Sequence, residues 1–126
     1  MTTLPITSIL VALACAGLVA LSLPISMKRA KLPAGVVDDE NLRRQVRAQG
    51  NFIEYVPLGL LALGLIEFSG AEAGLVWGLG GTFAAARVLH ALGMLASMRM
   101  AVAAGALLNY LTLLALAVFL AFAVYA

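Results

Sequence analysis

Charge is scarce in this chain. Only 11% of its 126 residues are charged, while 63% are hydrophobic, and the mean hydropathy is +1.05. Ordinary soluble domains carry about 25% charged residues, and one of this size buries only about 60–70% of its chain surface. That excludes a soluble enzyme, a disordered tail and a disulfide scaffold. The lone cysteine, Cys15, has no intrachain partner and reads as a small buried hydrophobe. With one histidine and no second His or Cys at ligand spacing, no metal site is expected. Strand alternation and internal repeats are absent too. A net charge of +2 gives little footing for nucleic acid, and no such partner is expected.

What is present is a series of spans. A bilayer core of about 30 Å needs about 20 apolar helical residues. Residues 4–27 are uncharged and form the first span, with Pro5 in the first turn and Pro24 placed to kink or end it. No basic residue precedes the run, which is too long for the apolar part of a cleaved signal peptide. A polar connection follows, with Pro33-Ala-Gly35 as its turn signal and Asp38-Asp-Glu40 where a helix N-terminus favours negative charge. Further helices are expected at about 39–68, ended by Ser69-Gly70, at about 73–98 and at about 100–126. Glycines 74, 78, 80 and 81 point to close helix contact on the early turns of the third. The fold class is thus all-α, an integral membrane four-helix bundle in a single domain. Six of the eight basic residues (Lys28, Arg29, Lys31, Arg43, Arg44, Arg47) fall in residues 28–47. The positive-inside rule therefore puts that connection in the cytoplasm and both termini outside.

Some polar residues lie where lipid penalises them. Arg, Lys or Asp at a helix centre costs about 2.5–3.5 kcal/mol on insertion scales. The second helix carries Arg47, Asn51 and Glu54 on one face, beside Tyr55. The third carries Arg87 and His90, with Met94 one turn on. Plainer readings stay open for each. Arg43 and Arg44 serve equally as snorkelling anchors, Glu54 and Arg87 as a structural ion pair, and His90 as a packing residue. One stripe with a cation, an amide, a carboxylate and a phenol nevertheless complements a ligand bearing carboxylates and an amine.

The string Arg47-Ala-Gln49-Gly-Asn51-Phe-Ile-Glu54-Tyr55-Val-Pro57 resembles the second-helix signature R-x-Q-x-N-x-x-E-Y-x-P of the MAPEG superfamily, the membrane-associated proteins in eicosanoid and glutathione metabolism. Ala86-Arg87-Val-Leu-His90-Ala-Leu-Gly93 resembles that family's third-helix element A-R-x-x-[HY]-x-x-G. The resemblance implies a homotrimer that binds glutathione, as co-substrate, between neighbouring subunits near the cytoplasmic face. Carried over by position, Arg47, Asn51, Glu54 and Tyr55 would hold the tripeptide and Arg87 and His90 complete the wall. Arg29 and Gln49 would approach from the neighbouring subunit. Without a long extension, the sequence resembles a bacterial branch, in an inner membrane.

Two departures bear on chemistry. Enzymatic members carry a Tyr where this chain has Met94, and an Arg early in the fourth helix where it has Ala101 or Ala103. Arg99 is the nearest cation and the candidate for stabilising a glutathione thiolate. The resemblance implies a glutathione transferase or peroxidase that takes hydrophobic electrophiles or lipid hydroperoxides from the bilayer. The alternative is a non-catalytic lipid-binding or scaffold member; a small transporter or channel subunit is a third reading. One prediction concerns assembly. A single protomer's four helices cannot shield the whole polar stripe from lipid, so cross-linking in mild detergent should stop at a trimer. A largest species of one or two chains overturns it.

Overall fold

The computed structural model describes residues 3–34 and 39–125. Gly35 and Asp38, used above for the turn and the helix start, lie outside the described residues, as does residue 126. Four helices follow one another: α1 (Pro5–Lys31), α2 (Glu40–Phe68), α3 (Ala73–Leu95) and α4 (Arg99–Tyr125). The shortest has 23 residues, about 35 Å at ~1.5 Å per residue. Each is long and apolar enough to cross a membrane.

Pro24 does not end α1, which runs about two further turns to Lys31. The free N-terminus of α1 has no cap of its own. Instead Glu67, near the end of α2, accepts from the Ile6 N–H on Oε1 (2.9 Å) and from the Thr7 N–H on Oε2 (2.8 Å). A carboxylate from another helix thus satisfies two of the orphan donors of this end. At the opposite end Asp39 caps α2, accepting from the Asn41 and Leu42 N–H groups at 2.9 and 3.1 Å. Lys28, at the end of α1, pairs with it at 2.7 Å. That hydrogen-bonded cation holds the Asp39 carboxyl below the usual carboxylate range.

Helices α2 and α3 end alike, the C-terminal N–H groups turning back onto carbonyls of the last turn. Gly70 at φ 86° donates to Glu67 O, and the next residue to Ile66 O. At the end of α3, Ser97 donates to Met94 O and Met98 to Gly93 O. There the left-handed position is a serine, at φ 57°, where a glycine is the usual occupant. Helix α3 stops at Leu95, earlier than expected, and α4 begins at Arg99.

Helices α2 and α3 form the centre. Helices α1 and α4 each pack on both and, among the described residues, their backbones do not approach one another closely. The inward face of α3 is Val76, Gly80, Phe83, Arg87, His90 and Gly93, a run of three- and four-residue steps that is one face of a helix. Ile6, Leu10, Leu63, Ile66, Val76 and Leu116 form the apolar core. Leu13, Leu58, Leu61, Leu107 and Leu114 are all at least 60% exposed, which suits a surface solvated by lipid. Cys15 is exposed rather than buried: it lies on the outward side of α1, where lipid accommodates it as readily as a core would.

The close approaches fall differently from the glycine pattern. On the early turns of α3 only Gly80 is tight: an added Cβ would meet Leu10 at 2.5 Å and Leu63 at 2.8 Å, whereas Gly78 and Gly81 face open space. The closest backbone contacts lie between α3 and α4. A Cβ on Gly105 would stand 2.6 Å from the His90 nitrogen, and one on Gly93 2.8 Å from the Val102 nitrogen. Small residues at a helix interface let backbones approach in this way. Gly105→Ala should therefore lower thermal stability in detergent by about 1–3 kcal/mol through overpacking. Gly78→Ala should be neutral or raise it by up to about 1 kcal/mol, from helix propensity alone. Equal melting temperatures for the two variants would contradict this packing.

Candidate functional site

The site begins with the ion that lipid tolerates least. Arg87 is 5% exposed, and its Nη1 donates to Asn51 Oδ1 on α2 at 2.7 Å. The guanidinium also lies 5.2 Å from the centre of the Tyr55 ring, within cation–π range. Its partner is therefore the Asn51 amide and not Glu54, and the Glu54–Arg87 ion pair, the plainer of the two readings left open above, is not formed. The reason is angular. At ~100° per residue, Asn51 and Glu54 stand about 60° apart on α2, so the amide turns to α3 while the carboxylate stays outside.

The second-helix stripe is accordingly divided. Asn51 and Tyr55 are half-buried and join Arg87, while Arg47 and Glu54 are exposed. His90, one turn beyond Arg87, is buried against the α4 backbone at Gly105. The plainer reading, a packing residue, describes its surroundings.

Two cavities flank Arg47. One, of about 410 Å³, is lined by Arg44, Arg47, Met94, Ser97, Arg99 and Val102 among others. It brings Arg99 to the same cleft as Arg47 and Met94. The other, of about 590 Å³, lies between the end of α1 and the start of α2, and Arg29, Arg43 and Arg47 line it. Arg29 thus stands on the α1 flank of Arg47 and Arg99 on the α4 flank. Gln49 donates from Nε2 to Ser22 Oγ of α1 within the same chain at 2.6 Å. Three guanidiniums line the smaller cavity with no acidic residue in its wall, a charge pattern complementary to carboxylate-type anions.

Sequence reasoning missed three participants. Arg44 Nη1 donates to Ser97 Oγ, so it ties the start of α2 to the α3–α4 turn as well as marking the interface. Ser22 holds Gln49. Tyr110 of α4 places its hydroxyl 3.4 Å from that of Tyr55, the rings meeting edge-on with centroids 6.0 Å apart. Tyr110 was findable, as one of three polar side chains between residues 100 and 123; the other two contacts have no local sequence signal.

Comparison with known families agrees with this geometry. The model of the MAPEG family matches residues 8–122, which takes in all but the ends of the 126-residue chain and both motif-bearing helices. No curated protein matches the chain at significance. An all-helical multi-pass membrane architecture, the polar cluster of α2 and α3 and the near full-length match lead to one conclusion: the chain belongs to the MAPEG family.

Proposed function

We propose that this protein binds glutathione at the cleft around Arg47 and uses its sulfur on substrates that arrive through the bilayer. The sulfur either bonds to hydrophobic electrophiles as a thioether or, with two glutathiones oxidised to the disulfide, reduces lipid hydroperoxides to alcohols and water. The observation that carries the reading is the shared cleft of Arg44, Arg47 and Arg99, one helical stretch above an exposed Glu54 and the Asn51–Arg87 bond. Glutathione is a tripeptide with two carboxylates, an ammonium, peptide amides and a thiol. Guanidiniums take the carboxylates in a fork, and Glu54 takes the ammonium. From Arg47 to Glu54 the axis advances about 10 Å at ~1.5 Å per residue, a span an extended tripeptide bridges.

The two flanks of Arg47 support assembly as a ring. Arg29 belongs to the α1 side and Arg99 to the α4 side, and the α1 and α4 backbones do not approach one another closely within the protomer, among the described residues. A contact between unlike faces generates a closed ring when its rotation closes, here a homotrimer with the α1 flank of one subunit on the α4 flank of the next. In that ring Arg29 reaches the neighbour's cleft, while Gln49 is held by Ser22 of its own α1. The basic first connection faces the cytoplasm, so the cleft opens to the compartment that holds glutathione.

Met94 and Ala103 in the wall of the smaller cavity favour a second reading, a member that binds glutathione or lipid without turnover. Calorimetry separates the first step. Arg47→Ala or Glu54→Ala should weaken glutathione binding by about 2–3 kcal/mol, roughly 30–150-fold, by removing a charge-assisted contact and stranding its partner. Wild-type affinity in Glu54→Ala makes Glu54 structural.

Activation of the thiol is the second step. A free thiol of pKa ~8.5 is mostly protonated at neutral pH, and a cation nearby favours the thiolate. Arg99 is the candidate for that role. The near-ultraviolet absorbance of bound thiolate, titrated with pH, should give an apparent pKa about 1–3 units higher in Arg99→Ala than in wild type. The thiolate would then be present above a lower pH in wild type and lost as pH falls through that value. An unchanged titration clears Arg99. No depression below free glutathione in either protein supports the non-catalytic reading.

A further inference from the structure

One cavity of the protomer takes no part in the site above. It holds about 320 Å³ between α1 and α3, with Phe52, Val56 and Leu60 of α2 as its third wall. None of its lining residues borders the clefts on the two flanks of Arg47. Room comes from small side chains, Ala14 and Gly17 on α1 and Ala84 on α3. At its edges Leu13 and Val88 are 62% and 58% exposed, so the groove opens to lipid. Every residue of the wall is apolar or glycine except one, Arg87.

Arg87 is incompletely partnered there. Its hydrogen bonds come from Nη1 alone, to Asn51 Oδ1 at 2.7 Å and to the Asn51 carbonyl at 3.4 Å, although a guanidinium has five N–H donors. Nε is buried and has no partner among the described residues. The Asn51 amide and the Tyr55 ring bring no net charge, and no carboxylate pairs with Arg87 among the described residues. Buried charges in proteins are paired, and inside a bilayer no water stands in for the partner. The groove thus combines an apolar wall with a cation that lacks its anion.

We infer that the groove holds a free fatty acid, its carboxylate on the Arg87 guanidinium and its chain running along α3 toward Gly80. From Arg87 to Gly80 the axis advances about 10 Å at ~1.5 Å per residue. A phospholipid suits the site less, because its charge stays at the interface. Arg87 lies eight residues before the end of α3 at Leu95, about 12 Å below it at ~1.5 Å per residue. A fatty acid carries its charge at the end of a single chain and brings it to that depth. The chain gains little by leaving lipid for an apolar wall, so the charge-assisted hydrogen bond supplies the affinity. Because Arg87 also holds Asn51, the acid completes the contact of α2 with α3. It is a resident ligand apart from the Arg47 cleft, and the inference stands whether or not glutathione binds.

Nuclear magnetic resonance of the carboxyl carbon tests this. The full-length protein in phosphatidylcholine nanodiscs receives dodecanoate labelled with carbon-13 at its carboxyl. Lipid around a carboxyl favours its neutral form, and a neighbouring cation its charged form. At a pH that neutralises the acid in empty nanodiscs, wild type should therefore keep a separate, ionised carboxyl resonance. Unlabelled dodecanoate should displace it roughly 10–150-fold more effectively than dodecanol, the worth of one hydrogen bond to a charged group. Arg87→Gln should lose the ionised resonance. Since that variant also alters a core contact, Ala84→Leu is the second test. It fills the groove, leaves the Asn51–Arg87 bond in place and should lose the resonance while still melting cooperatively. No ionised resonance in wild type overturns the assignment, including the case in which a neighbouring subunit's carboxylate serves as counter-ion. So does a resonance that survives in Ala84→Leu, which puts the acid on the basic face instead. Displacement by phosphatidylglycerol added to the nanodisc gives the site to a phospholipid and overturns it too.

Discussion

A guanidinium inside a bilayer must be given partners by the protein, and the rest of this molecule is arranged around that requirement. Arg87 lies on the inward face of α3, bonded to Asn51 and stacked on Tyr55. Removing those partners would leave a buried charge in a medium with no water to replace them. The contact therefore fixes the register of α2 on α3. Four residues earlier on α3, Phe83 fits against Gly59, where an added Cβ would fall 2.2 Å from the ring. Seven residues earlier, Gly80 admits Leu10 of α1 and Leu63 of α2. A slip of α2 along α3 would break the Arg87–Asn51 hydrogen bond and misplace both glycines at once. Lipid supplies no hydrophobic drive for helix association, so such matched contacts carry the specificity.

The two ends of the bundle are secured by different means, and the difference separates structure from function. At one end Glu67 caps α1 and Gly70 takes the left-handed position at no steric cost. That end is built for stability. At the other end the left-handed position falls to Ser97, which costs about 1–2 kcal/mol relative to an unstrained residue. Its hydroxyl accepts from Arg44, and both residues line the cleft with Arg47 and Arg99. Backbone strain is thus held beside a cluster of cations, and strain of this kind gathers at functional sites more than elsewhere.

The fold was largely legible in the sequence because the membrane simplifies it. Uncharged runs of more than twenty residues specify the first and last spans, and Asp39 and Ser69-Gly70 mark helix boundaries by side-chain chemistry that needs no partner helix. Pro24 marks no helix end because a proline inside a spanning helix is tolerated when the surroundings accommodate it. The glycines of α3 misled because four small residues on consecutive turns point in different directions, and only Gly80 meets neighbours. Gly105 passed unnoticed because its tightness depends on where the His90 backbone lies, a fact of tertiary structure.

The site was legible as a set of residues and not as an arrangement. Periodicity put Arg47, Asn51 and Glu54 on one face, yet an arc of about 60° on a helix is wide enough to straddle the boundary between bundle and exterior. Asn51 falls inside it and spends its acceptor on Arg87. Glu54 falls outside and keeps its carboxylate free of any ion pair among the described residues. That division is what gives the cluster two tasks. The inner pair holds the helices in register, and the outer pair, Arg47 and Glu54, presents opposite charges at a separation set by helix geometry alone. A rigid inner contact positions an open outer one, so whatever binds outside meets a preorganised surface and loses less of its binding energy to ordering the protein.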